Sequence, residues 1–140
     1  MTIGISTTLR NSRLQLLLDA IDNGADEYNS AHLLIYSGDR PATGEAIDEY
    51  DNTLLVNFSL PFPCGSITGG ILTFGALVDV LGLDDGTATW ARITDEGDVF
   101  VADLSVTNEV GSGDVKINDT AIVVGGTVHC TAASITEGNA

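Results

Sequence analysis

The chain has 140 residues, room for one domain with a single core and little else. Five Lys and Arg stand against twenty Asp and Glu, a formal net charge of -15; this argues against nucleic acid, whose phosphates need clustered cations, and against an anionic membrane face. With 44% hydrophobic residues and a mean hydropathy of +0.22, the acidity is not that of a disordered chain.

Met1-Thr2-Ile3-Gly4-Ile5-Ser6 carries no basic segment followed by a long apolar core, so no secretory signal is expected and the product is expected to be made in the cytosol. No run of about 18 apolar residues is present to cross a membrane. In that compartment Cys64 and Cys130 are expected as free thiols, with a pairing between them left open. The first element is a helix. Ser6 or Thr7 can cap it, residues 8–23 are free of Pro and Gly, and Gly24 can end it. Leu14, Leu17, Leu18 and Ile21 share one face at helical spacing, Leu9, Leu16 and Ala20 an adjoining one, and Asn11, Ser12, Gln15, Asp19 and Asp22 gather opposite. The apolar arc is about 200° wide against the roughly 100° of an ordinary surface helix. Two readings follow: a helix sunk deeply into its own domain, or one whose arc partly meets a neighbouring subunit. On the second reading the candidate oligomer or partner interface is Leu9, Arg10, Arg13, Leu16 and Ala20.

After the helix the pattern changes to strands and turns. Residues 33–36 form a short apolar run ended by Ser37-Gly38-Asp39-Arg40-Pro41, and residues 36–52 form the longest loop. Residues 54–60 alternate, with Leu54, Val56, Phe58 and Leu60 on one side, as in a half-buried strand. Further strands are expected at 70–74, 87–93, 99–106, 115–117, 121–124 and 127–135, with acidic or glycine-rich turns between them. Glu96-Gly97 reads as a tight hairpin. The expected fold is mainly β, an antiparallel β-sandwich or jelly-roll-like barrel with one N-terminal α-helix. It forms a single domain over 1–140, with the helix at about 7–23 and the sandwich at about 32–136.

Chemistry-bearing patterns are scarce. His32 and His129 are the only imidazoles, and no Cys-x-x-Cys or His-x-x-x-His spacing offers zinc its three or four ligands. His129 and Cys130 are neighbours in an apparent strand and so point to opposite faces. Cys64 lies in the turn Phe62-Pro63-Cys64-Gly65 with no activating group nearby in sequence. Asp84-Asp85-Gly86 lacks the distal glutamate of a calcium loop, and no phosphate-binding or nucleophile-elbow motif occurs. Trp90 and Phe100 are expected in the core. No catalytic, cofactor-binding or metal-ligating residue is assigned, and no enzyme activity is expected.

Several segments in order carry a resemblance. They are Ile5-Ser6-Thr7-Thr8-Leu9-Arg10-Asn11-Ser12-Arg13-Leu14, Leu34-Ile35-Tyr36-Ser37-Gly38-Asp39-Arg40-Pro41-Ala42-Thr43-Gly44, Gly70-Ile71-Leu72-Thr73, Gly86-Thr87-Ala88-Thr89-Trp90-Ala91-Arg92-Ile93, Val101-Ala102-Asp103-Leu104-Ser105-Val106 and Ser134-Ile135-Thr136-Glu137-Gly138-Asn139. Together the string resembles a widespread family of small proteins encoded among the structural genes of tailed bacteriophages and prophages. The acid-rich segment 45–51 departs from that pattern as an elaborated loop. The resemblance implies a virion structural part without a catalytic motif: a capsid decoration (cement) protein, trimeric, bound to the major capsid protein on the head surface. A tail, baseplate or fibre-adaptor component is the alternative within the virion. A carbohydrate-binding β-sandwich is the alternative outside that class; its aromatic stock is Tyr28, Tyr36, Tyr50 and Trp90, with Tyr50 in the acidic loop the best placed.

Overall fold

A computed structural model describes residues 4–137; the first three residues and Gly138-Asn139 of the closing motif lie outside the described residues. Helix α1 spans Thr7–Ile21, and the Ser6 side chain caps it by accepting the Leu9 N–H at 3.1 Å. It ends earlier than predicted. Asp22 is the C-terminal cap, and Gly24, with its positive φ of 79°, turns the chain two residues later. The Asp22 carboxylate accepts the Cys64 N–H at 3.1 and 3.2 Å, tying the helix end to the chain before the third strand. Leu14, Leu18 and Ile21 are buried and Leu17 is half-buried, the predicted face.

Eleven strands are described: β1 His32–Ser37, β2 Leu54–Ser59, β3 Gly65–Thr68, β4 Ile71–Phe74, β5 Val80–Leu81, β6 Gly86–Thr94, β7 Phe100–Asn108, β8 Val115–Ile117, β9 Ala121–Ile122, β10 Thr127–Val128 and β11 Cys130–Thr136. The main sheet runs β2-β1-β6-β7-β8-β11-β4-β3, with β9 on the end of β6, while β5 and β10 form a separate ribbon. The sheet curls over a core built from Leu33, Ile35, Val56, Phe58, Leu72, Ile93, Val115 and Ile117, and the helix adds its buried face. The mainly β, sandwich-like fold with one N-terminal helix is therefore present.

Details differ from the sequence reading, each for a physical reason. One seam is parallel: β7 pairs β8 with Val106 opposite Val115 and Asn108 opposite Ile117. Parallel neighbours ordinarily need a crossover of a dozen residues or more. Here the pair is three residues long, so residues 109–114 need only carry the chain back about 10 Å. They do so against Thr107, whose Oγ1 accepts the Gly113 N–H at 3.0 Å. A Cβ on Gly111 or Gly113 would lie 2.5 or 2.9 Å from that side chain. Strand β3 was not among the expected strands, yet it pairs with β4 through Gly69 and Gly70, both at positive φ, as a two-residue hairpin loop requires. The predicted strand 127–135 is broken at His129, whose N–H donates to the Asn118 side chain at 3.0 Å in place of a backbone partner. In β2, Leu55 was assigned to the solvent side but is fully buried, because residues 82–83 cross it and the Leu83 N–H donates to its carbonyl at 2.8 Å.

Candidate functional site

The most heavily built cluster lies on the outer face of β1, β6 and β7, beneath the loop 38–53. Along β6, Ala91 and Ile93 belong to the core, whereas Trp90 is buried outside that cluster. Trp90 is buried as expected, in an apolar layer that the long loop shields from water, whereas Phe100 is only half-buried. Tyr36 stacks on it with ring centroids 4.8 Å apart and planes 17° from parallel. The Arg92 guanidinium sits 5.4 Å from the Trp90 ring and 5.0 Å from Phe100. Arg92 also grips Asp103 in a two-point fork, Nε to Oδ1 at 2.8 Å and Nη2 to Oδ2 at 3.1 Å, with the Asp103 side chain 1% exposed. Burial raises the Tyr36 hydroxyl above its ordinary pKa, with Arg92 opposing and Asp103 adding to the shift.

The covering loop is fastened to the same residues. Gly44 N–H donates to Asp103 Oδ2 at 3.2 Å, and Arg40 Nη1 reaches the Asp103 carbonyl at 3.5 Å. The Thr89 hydroxyl donates to the Gly38 carbonyl. Buried Asn52 donates to the Ser37 and Asp39 carbonyls at 3.0 and 2.8 Å and accepts the Asp48 N–H at 3.2 Å. Gly38 has no room for a side chain, since a Cβ would lie 2.0 Å from the Asp51 carbonyl oxygen. Three of the sequence segments carrying the resemblance therefore meet in space. What they form holds a loop down: the Arg and Asp charges neutralise each other, and a buried polar atom left over, Trp90 Nε1, has no hydrogen-bond partner among the described residues.

The helix residues singled out earlier divide into two groups. Leu9, Leu16 and Ala20 are exposed, Leu16 at 73%, and with Arg13 they follow one stripe of the helix. Arg10 turns inward: its Nη2 donates to the Glu137 carbonyl at 3.1 Å, and its guanidinium lies over Gly70. Arg13 also reaches back, to the Glu137 carboxylate at 3.0 Å. Among the aromatics, Tyr36 and Trp90 are buried against each other, whereas Tyr28 and Tyr50 are fully or nearly fully exposed.

Both cysteines are free thiols, Cys64 buried and Cys130 half-buried. The imidazoles lie with other partners, His32 Nδ1 with Asn57 and His129 Nδ1 with Asp79. Burial, the Asp22 charge and its hydrogen bond push the Cys64 thiol up to about 12, so about one part in ten thousand is ionised at pH 8. Iodoacetamide at pH 8 is expected to leave Cys64 unmodified in the folded protein and to label both cysteines in urea. Mass spectrometry reads the outcome; native labelling of Cys64 would contradict the burial. The same raised pKa makes the folded state lose stability as pH climbs from about 9, the unfolded thiol value, through about 12.

Among the described residues no group of three or more His, Cys, Asp or Glu could hold a metal ion, and no helix is long and apolar enough to cross a membrane. Compared with protein-family models, curated proteins and solved structures, the chain matches none of the three.

Proposed function

We propose that the chain is a structural part of a tailed-bacteriophage virion, a decoration protein seated on the outer capsid surface and bound to the major capsid protein. The carrying observation is the ordered resemblance, supported by the convergence of Tyr36, Gly38, Arg40, Gly44, Trp90, Arg92 and Asp103 on one loop-fastening cluster. Motif residues that meet in space to hold a loop down serve the fold and not a reaction, as suits a structural component. A small β-rich body, a coat of acids that keeps a crowded lattice soluble by like-charge repulsion, and an exposed helix stripe of Leu9, Leu16 and Ala20 for packing copies as a trimer agree with that role. On this reading the protein is made in the host cytoplasm and resides in the virion, on the capsid surface in preference to the tail.

Copy number tests the reading. Quantitative mass spectrometry of purified virions is expected to find hundreds of copies per particle. About a dozen or fewer would move the protein to the tail or baseplate, and its absence from particles would end the virion reading. The carbohydrate-binding alternative has lost half its aromatic stock, because Tyr36 and Trp90 are buried in the stack.

A further inference from the structure

The ribbon of β5 and β10 stands apart from the main sheet and carries a surface that the virion reading does not use. Gly82 bridges to Val124, donates its N–H to the Gly126 carbonyl at 2.8 Å and accepts the Gly125 N–H at 2.9 Å. Segments 80–83 and 122–126 are thereby locked together, so closely that a Cβ on Gly82 would lie 2.4 Å from the Val123 carbonyl oxygen. What they turn outward is apolar. Leu81, Leu83, Val123 and Val124 are each more than half exposed, and Val78 just before the ribbon is 82% exposed. Where exposed apolar residues gather over about a few hundred Å², the patch is often functional. A shallow depression lined by Ile122, Val123, Thr127 and Val128 opens beside it.

Carboxylates ring this patch. Asp85 Oδ1 accepts the Val124 N–H at 2.9 Å, Asp84 Oδ1 the Asp85 N–H at 2.8 Å and Asp119 Oδ1 the Ala121 N–H at 2.9 Å, so these acids are held at its border. Asp79, next to Val78, engages His129.

We infer that this patch docks a different protein, one presenting an apolar side-chain knob ringed by Lys and Arg. Charge complementarity selects the occupant. Two copies meeting here would set carboxylate against carboxylate, which costs binding. The chain has few cations to offset that: of its five, Arg92 is buried on Asp103, Arg10 and Arg13 are turned to Glu137 and Arg40 reaches the Asp103 carbonyl, which leaves Lys116 alone against twenty acids. A partner with a basic rim satisfies the acids while its knob covers Leu81, Leu83, Val123 and Val124, the dry centre from which an interface draws most of its energy. The surface is separate from the helix stripe assigned to self-packing, and it stands whether or not the chain belongs to a virion.

The test is an NMR titration of the isotope-labelled full chain with a short amphipathic peptide of Leu and Lys. Peptides of the same pattern in Leu and Glu, and in Ser and Lys, serve as controls. Shifts are expected in residues 78–85 and 119–128 with the Leu/Lys peptide alone, weakening about tenfold or more in the L81S/V124S double variant. Both side chains are mainly exposed, so that variant keeps the fold, which its unchanged remaining spectrum verifies. Equal binding of the Ser/Lys peptide, shifts centred on the acidic loop 45–51, or undiminished binding by the variant would overturn the proposal. So would concentration-dependent self-association that the variant abolishes, since it would give the patch to a second copy. None of these outcomes depends on the copy number in virions.

Discussion

Asp103→Asn is expected to destabilise the protein by about 3–5 kcal/mol, because it leaves the Arg92 guanidinium buried and unpaired. The substitution keeps the shape and one acceptor oxygen, but its amide NH2 sets a donor against Arg92 or the Gly44 N–H, so the loss combines the missing charge with an unmet donor. Both partners sit deep, with side-chain exposures of 10% for Arg92 and 1% for Asp103. Water therefore cannot replace the missing carboxylate without opening the loop that Gly44 and Arg40 fasten to the same residue. Replacing both partners by apolar residues of similar size, Arg92→Met with Asp103→Leu, is expected to recover much of the loss, since a buried pair often contributes little beyond its own desolvation. Urea unfolding of Asp103→Asn, and of Arg92→Met, Asp103→Leu and their double variant, reads the cycle. A loss below about 1 kcal/mol for Asp103→Asn would mean that the pair behaves as an exposed one.

Trp90→Ala is the second large effect, again about 3–5 kcal/mol, from lost burial and the cavity left between the sheet and its covering loop. The Tyr36 stack and the Arg92 contact vanish with it. Trp90→Phe is expected to cost much less, because it keeps a ring against Tyr36 while removing the buried Nε1 that has no partner among the described residues. Thermal unfolding followed by circular dichroism gives the order, as Trp90 is the chain's one tryptophan and its fluorescence disappears with it. Limited proteolysis supplies a local readout: Trp90→Ala should expose cleavage sites within 38–53. Equal losses for the two variants would show that ring stacking contributes nothing measurable.

What could be read from the sequence was whatever local chemistry dictates. The Ser6 cap, the Leu14, Leu18 and Ile21 face and the strands bounded by acidic turns all follow from residues within a few positions of one another. Strand β3 also left a signal, Gly69-Gly70 ahead of Ile71, but Ile67 is the only large apolar residue in Gly65–Thr68, and the strand carries little pattern. The Arg92–Asp103 pair was hidden by register. A hairpin centred on Glu96-Gly97 sets Arg92 opposite Val101. The actual turn is longer, with Asp98 at φ 64° and the Asp95 carboxylate accepting the Gly97 and Val99 N–H groups at 2.9 Å. A register shift beyond Ile93 then brings Asp103 across from Arg92. Nor does any single strand announce that a distant loop will cover its polar face, so Trp90, Arg92 and Thr94 read as an ordinary mixed strand until the loop is in place.

The position of β11 has a consequence for how the molecule folds. It pairs β8 on one side and β4 on the other, so it alone joins the β3–β4 hairpin to the rest of the sheet. Glu137, just beyond it, holds Arg10 and Arg13 of the helix. Several units can form early from near neighbours in sequence: the β6–β7 hairpin, the short return into β8, the β3–β4 hairpin and the capped helix, whereas β1 must also find β6 across everything from β2 to β5. Docking β11 on β4 and Glu137 on the helix closes further long loops, with their entropy lost before their contacts are gained. Long-range closures of this kind slow folding, and until β11 docks β4 and β8 each present an open edge on which a nascent chain can mispair with its neighbours.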